Sequence, residues 1–237
     1  MKIMYLFPHP DDETFGPAPA ISKQKRQGHE IYLISLTKGG ATKQRFKYNY
    51  SIEQMGEVRA KEMQEVAKVL GLSDLRILDM PDSGLKYLDP RKIEKEIENY
   101  IMEIKPDIVI TYAIHGISGF HDHLVIHPVV KRVFLELKEK YNYPKRLAFF
   151  TFNQEGAEKS GFKCMNFSKP EEINCIIEVE EQDMETFRKS LDCYESYKDV
   201  INSSKIKDAI ENKIYFEIFG EKFENILDDL TKEIKDN

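Results

Sequence analysis

Between Phe7 and Glu13 the chain reads Phe-Pro-His-Pro-Asp-Asp-Glu. One imidazole, two adjacent carboxylates and a third acid fall within five residues, His9 to Glu13. His9 and Asp12 are close enough in a tight turn for both to reach one ion, and Zn²⁺ accepts that mix of nitrogen and oxygen. Asp11 is left beside them, free to act as a base. An ordinary strand-to-helix turn would use the same residues differently, with Asp11 or Asp12 as a helix cap and His9 as a polar residue at a strand end.

A second cluster shifts the balance toward chemistry. Four of the six histidines, His115, His121, His123 and His127, lie between His115 and Pro128, and glycines make that stretch pliable. His121 and His123 would project alike from an extended segment. His123 and His127 would share a helix face, although Pro128 is comfortable only in a helix's first turn. A hydrolytic zinc site takes three protein ligands and keeps a place for water, and His9, Asp12 and His123 make such a set.

The elements that must position these groups alternate. The apolar run Lys2–Phe7 reads as a strand buried on both faces. A helix over Ala18–Gln27 stops at Gly28, and Glu30–Thr37 is a second strand. Lys43–Tyr50 reads as a solvated loop or a mobile wall of the site. Ser51 caps a helix over Ile52–Leu70, with Gly71 closing it. Leu75–Met80 and Asp107–Tyr112 are further strands around a helix that carries Ile93, Ile97, Tyr100, Ile101 and Ile104 on one stripe. Strands separated by helices predict a parallel, Rossmann-like α/β sheet with right-handed crossovers. Both histidine-bearing turns then fall at carboxyl ends of strands, on one edge. Past Tyr141 the pattern weakens. Arg146–Phe152, Asn174–Val179 and an edge strand Lys213–Phe219 are expected, with helices over Asp183–Tyr197 and Phe223–Ile234.

The 237 residues suit a single domain over 1–237. A net charge of −6 argues against nucleic-acid binding. Three cysteines without CxxC spacing predict neither a disulfide framework nor a thiolate zinc site. Together with the lack of a cleavable signal pattern they suggest the cytoplasm. No apolar run is long enough to span a bilayer. Homo-oligomer formation is left open.

Pro8-His9-Pro10-Asp11-Asp12-Glu13 and the Asp122-His123 loop resemble the PIG-L/LmbE-type zinc de-N-acetylases. The order of elements to about Tyr141, Arg59 and Glu62 in Val-Arg-Ala-Lys-Glu, and Asp82 in Pro-Asp-Ser-Gly-Leu resemble that family too. The resemblance implies a Rossmann-like sheet, one divalent metal, usually zinc, and removal of acetyl from an N-acetylglucosaminyl group. By position, His9, Asp12 and His123 would bind the metal and Asp11 would be the general base. Arg59 and Asp82 would hold sugar hydroxyls of a small N-acetylated amino-sugar conjugate.

One departure stands out. The family's second motif is His-x-Asp-His, whose first histidine helps stabilise the tetrahedral intermediate. Phe120 occupies that position here, and His121 falls where the family has proline. Either His121 swings in as the oxyanion donor, which is the expectation adopted, or the group is missing. A nucleotide-binding or methyl-transfer domain would want a glycine-rich turn after the first strand, and the acidic turn found there would repel phosphate. A non-catalytic or weakly active metal-binding protein of the same fold remains the alternative.

Overall fold

The computed structural model describes residues 1–160, 162 and 164–234. Five strands run parallel: β1 Lys2–Phe7, β2 Glu30–Thr37, β3 Asp74–Met80, β4 Ile108–Tyr112 and β5 Arg146–Thr151. The helices α1 Ala18–Arg26, α2 Ile52–Leu70, α3 Pro90–Ile104 and α4 His121–Tyr141 connect them. After β5 come α5 Gln154–Lys159, β6 Cys175–Glu178, α6 Glu181–Asp192, α7 Lys198–Ser204, α8 Ile206–Ala209 and β7 Lys213–Ile218. The seven strands form one sheet in the order β3-β2-β1-β4-β5-β7-β6. β7 runs antiparallel to both β5 and β6. Strand order reverses between β1 and β4, so their carboxyl ends open the crevice where such sheets bind ligands.

Local sequence explains the parallel half. β1 and β4 are flanked by strands on both sides, and apart from half-buried Lys2 every residue of the two is buried. The side chain of Ser51 accepts from the Gln54 amide while Gln54 answers at the Ser51 amide, a reciprocal cap on α2. Gly71 closes α2 in the left-handed conformation. Asp89 caps α3 by accepting from the Arg91 amide.

Five expectations are corrected. Lys43–Tyr48 is a 3₁₀ helix capped by Thr42. α4 starts at His121 and carries Pro128 inside it, because a missing N–H forfeits only one bond to the previous turn while the apolar face of Ile126, Val129, Val130 and Val133 packs on the sheet. β7 is an interior strand and β6 the edge, a pairing of distant segments that alternation in a single run does not encode. The stretch expected as a final helix over Phe223–Ile234 is turns instead, with Leu227 bridging to Cys175 and packing beside β6. The helix expected over Asp183–Tyr197 ends at Asp192 and passes into a 3₁₀ turn, Glu195–Tyr197. Among the described residues no helix is long and apolar enough to cross a membrane.

Candidate active site

β1 ends in the acidic turn and β4 ends in the loop before α4, and these two segments face each other. Asp11 sits at φ 89°, a backbone region that non-glycine residues resist. Three contacts hold it there. The Asp11 amide donates to the Tyr194 hydroxyl at 2.8 Å, Arg59 Nη2 donates to Asp11 Oδ2 at 2.6 Å, and the same Nη2 donates to the Pro10 carbonyl. Arg59 Nη1 donates to the Gly39 carbonyl at 2.8 Å. Gly39 has a positive φ, and any side chain there would collide with that guanidinium.

The hydrogen-bond inventory fixes both imidazoles. His123 Nδ1 lies 3.0 Å from the Gly116 carbonyl, which only accepts, so Nδ1 carries the proton and Nε2 is bare. His9 Nε2 lies 3.2 Å from carboxylate oxygens of both Asp82 and Asp122. Those oxygens accept, so His9 Nδ1 is bare in the neutral ring. His9 Nδ1 and His123 Nε2 face each other at 3.3 Å. Asp12 adds oxygens 3.2 Å from His123 Nε2 and 3.6 Å from His9 Nδ1. Lone pairs so placed repel unless a proton or a metal ion lies between them. A tetrahedral ion about 2.0–2.1 Å from each ligand needs ligand atoms roughly 3.3 Å apart, so the three side chains fit one divalent metal.

The surroundings tune this set. Burial opposes charge on His9, but Asp12, Asp122 and Asp82 outweigh it and hold the imidazole well above its ordinary range. Burial would raise Asp12, yet His123 and His9 keep it well below the usual carboxylate range. The Asp12 Oδ1 also accepts from the Tyr112 hydroxyl at 2.8 Å, and the Tyr112 ring stacks on His123 with centroids 4.4 Å apart. Burial pushes the Asp11 carboxyl up to about 6 against the pull of Arg59. Burial pushes Glu13 further, to about 8, although the Tyr194 hydroxyl donates to its Oε1 at 2.6 Å. Glu13 Oε2 is buried with no hydrogen-bond partner among the described residues, as suits a protonated acid.

His9, Asp12 and His123 therefore come together, with Asp11 beside them. The structure places three other expected residues as follows. His121 is exposed on the first turn of α4, its Nδ1 3.4 Å from Lys86 Nζ. The chain is helical from His121 onward, so residues two apart no longer project alike, and His121 turns away while His123 turns in. Arg59 is only 2% exposed and spends its terminal nitrogens inside the protein, on Gly39, Pro10 and Asp11. Asp82 faces His9 and accepts from the Ala41 amide at 2.6 Å. Both therefore brace the acidic turn. Phe120 is 66% exposed with its ring edge-on to His123.

Further partners complete the site. Asp122 orients His9 while accepting from the Ser83 and Leu85 amides at 2.8 and 3.2 Å. Tyr194 braces Asp11 and Glu13 from beyond α6. Tyr197 lies under the Arg59 guanidinium, and Ser196 binds Glu62 through both its amide and hydroxyl. Only spatial proximity identifies Tyr194 and Ser196, since they stand more than 130 residues from the side chains they hold.

Residues 4–134 match the family model described as PIG-L: GlcNAc-PI de-N-acetylase. A probable N-acetyl-α-D-glucosaminyl L-malate deacetylase 2 of Bacillus cereus is 26% identical over 179 residues, covering 75% of this chain and 76% of that protein. The chain spans about half the length of several other curated relatives, from 44% of a 1D-myo-inositol 2-acetamido-2-deoxy-α-D-glucopyranoside deacetylase of Kineococcus radiotolerans upward. Among solved structures, a deacetylase of teicoplanin biosynthesis superposes with a TM-score of 0.69 at 13% identity, over 92% of this chain and 97% of that one. The 4-carboxy-2-hydroxymuconate hydratase GalB of Pseudomonas putida superposes with a TM-score of 0.68 at 11% identity, over 94% and 97%. Likeness at those identities establishes the fold, which hosts more than one reaction.

Proposed function

This chain belongs to the PIG-L, GlcNAc-PI de-N-acetylase, family, and on that basis we propose that it is a metal-dependent hydrolase that removes acetyl from an N-acetylglucosaminyl-type conjugate. The products are acetate and a free amino sugar. The observation that carries this reading is His9 Nδ1 and His123 Nε2 facing each other at 3.3 Å beside Asp12, with Asp11 adjoining.

His9, Asp12 and His123 would hold the ion, zinc by the chemistry of the donors. A bound divalent ion would supply Lewis acidity and draw the pKa of water toward neutrality. Asp11 is the general base. Its carboxyl, pushed up to about 6, is matched to taking a proton from the attacking water near neutral pH and returning it to the leaving nitrogen. Arg59 and Tyr194 hold Asp11 in its strained backbone so that the carboxylate faces the cluster. Asp82 and Asp122 fix the His9 ring, the carboxylate–imidazole support that metal-binding histidines use. His121 takes no part in binding the reacting amide.

Metal analysis of the purified protein, followed by acetate release from a panel of N-acetylglucosaminides, tests the proposal. Stoichiometric zinc with acetate release supports it. A second reading, metal binding without turnover, is favoured by Phe120 in place of an imidazole and by the outward turn of His121. Stoichiometric zinc with no amide hydrolysis across the panel selects that reading.

A further inference from the structure

His115 lies in the histidine-rich stretch but not in the cluster at the sheet edge. It is half-buried, and each of its nitrogens is engaged. The Ile117 amide donates to Nδ1 at 3.1 Å. Nε2 therefore carries the proton of the neutral ring and lies 3.3 Å from both the Ser168 and the Thr151 hydroxyls. The Ser168 hydroxyl, itself buried, donates to Glu217 Oε1 at 2.5 Å. Glu217 stands on β7, paired with Phe149 of β5. A hydrogen-bond chain thus runs from the interior of the sheet to the loop between β4 and α4.

That loop is under tension. Ile117 is a buried β-branched residue at φ 53°, which such side chains resist. Its carbonyl is held by Asn166 through the backbone amide at 2.7 Å and the side-chain amide at 3.0 Å. Gly116, at φ 61°, packs so closely that an added Cβ would stand 2.8 Å from the Cβ of His123. The Gly116 carbonyl is the group that meets His123 Nδ1. The Ser118 hydroxyl of the same loop also lies 3.1 Å from Nδ1. The conformation around His115 therefore decides what the far side of the His123 ring sees.

We propose that His115 is a positioning residue for the metal centre: the Glu217–Ser168–His115 chain holds the loop so that the Gly116 carbonyl keeps His123 in the tautomer whose Nε2 is free to bind the ion. This inference rests on the reading of His123 as a metal ligand. Burial keeps the His115 imidazole below its ordinary range, so it stays neutral and serves as donor on one side and acceptor on the other.

The test is zinc affinity by chelator competition in the full chain, with thermal melting of the metal-free protein and ¹⁵N spectra of its histidines measured alongside. His115→Ala is expected to weaken zinc by roughly 10–100-fold, the range for groups that orient a metal-binding histidine. It should also shift His123 from a single Nδ1–H form to a mixture of tautomers. Ser168→Ala and Glu217→Leu, which break the chain further from the metal, should move affinity in the same direction. Glu217→Gln keeps an acceptor for the Ser168 hydroxyl and should recover it. Should His115→Ala fail to fold, the Ser168 and Glu217 variants carry the comparison. Wild-type zinc affinity and an unchanged His123 tautomer in the folded variants, even with a lower melting temperature, would reduce the chain to a structural staple and overturn the inference. Zinc retained by His123→Ala would overturn the ligand assignment as well, which separates the two failures.

Discussion

At the scale of single residues, the site is a contest between burial and mutual charge. His9 is half-buried and Asp12 buried; Asp12, Asp122 and Asp82 favour the charged imidazole, and His123 and His9 favour the charged carboxylate. On the proposed ligand set, removing the imidazole of His9 or His123 leaves two ligands, so His9→Ala and His123→Ala are expected to lose stoichiometric metal in elemental analysis. Asp11 is different in kind, since Arg59 and Tyr194 hold it and no ligand atom is required of it. Asp11→Asn should keep the metal while turnover falls by about 10²–10⁴-fold, the usual loss of a general base. Metal loss in that variant would move Asp11 among the ligands. His121→Ala should leave turnover within roughly threefold, because an exposed surface side chain supplies no transition-state contact. A 10²-fold loss, the size expected of a missing oxyanion donor, would return His121 to the mechanism.

At the scale of elements, the acidic turn depends on helices that pack behind it. α6 is fastened to α1 by Asp183, which is buried and accepts from Ser22 at 2.9 Å and from Arg26 Nη2 at 2.9 Å. The same carboxylate accepts from the Glu180 amide and so caps α6. Burial works to raise Asp183, but Arg26, the Glu180 amide and Ser22 outweigh it and lower its pKa. A carboxyl depressed on folding stabilises fully above its unfolded pKa, and that stability is lost as pH falls through the folded value. Asp183→Asn is therefore expected to cost about 1–3 kcal/mol at pH 7, allowing for the exposure of Arg26. Chemical denaturation at stepped pH should show the wild-type and variant stabilities converging below about pH 4. A constant difference down to pH 2 would mean that the charge is not what matters.

At the scale of the whole molecule, the family match ends at residue 134, yet the site does not. Tyr194, Ser196 and Tyr197 lie past α6 and touch Glu13, Glu62 and Thr42, all in the first third of the chain. β5 needs β7 as its antiparallel neighbour, and β7 comes after all of these. A chain cut after residue 180 is therefore expected to lose both cooperative melting and zinc binding, measured by circular dichroism and chelator competition. Zinc bound by that fragment at full-length affinity would make the last quarter of the chain dispensable to the site.

What the sequence determined by itself was whatever is encoded over short distances. The buried run before Pro8, the Ser51 cap and the stripe on α3 announce their elements because period, cap and breaker act within a few residues. His9, Asp12 and His123 were legible because two strand ends of a parallel sheet must share an edge. Tertiary structure alone decided the rest. The turn of His121 outward follows from where α4 begins, a boundary that Pro128 obscured. The burial of Arg59 and Asp82 against the turn follows from loops closing over them. The interior place of β7 and the reach of Tyr194 to Asp11 depend on pairings between distant segments. Residues so far apart in the chain meet only after the sheet has formed, and no local pattern records which of them will touch.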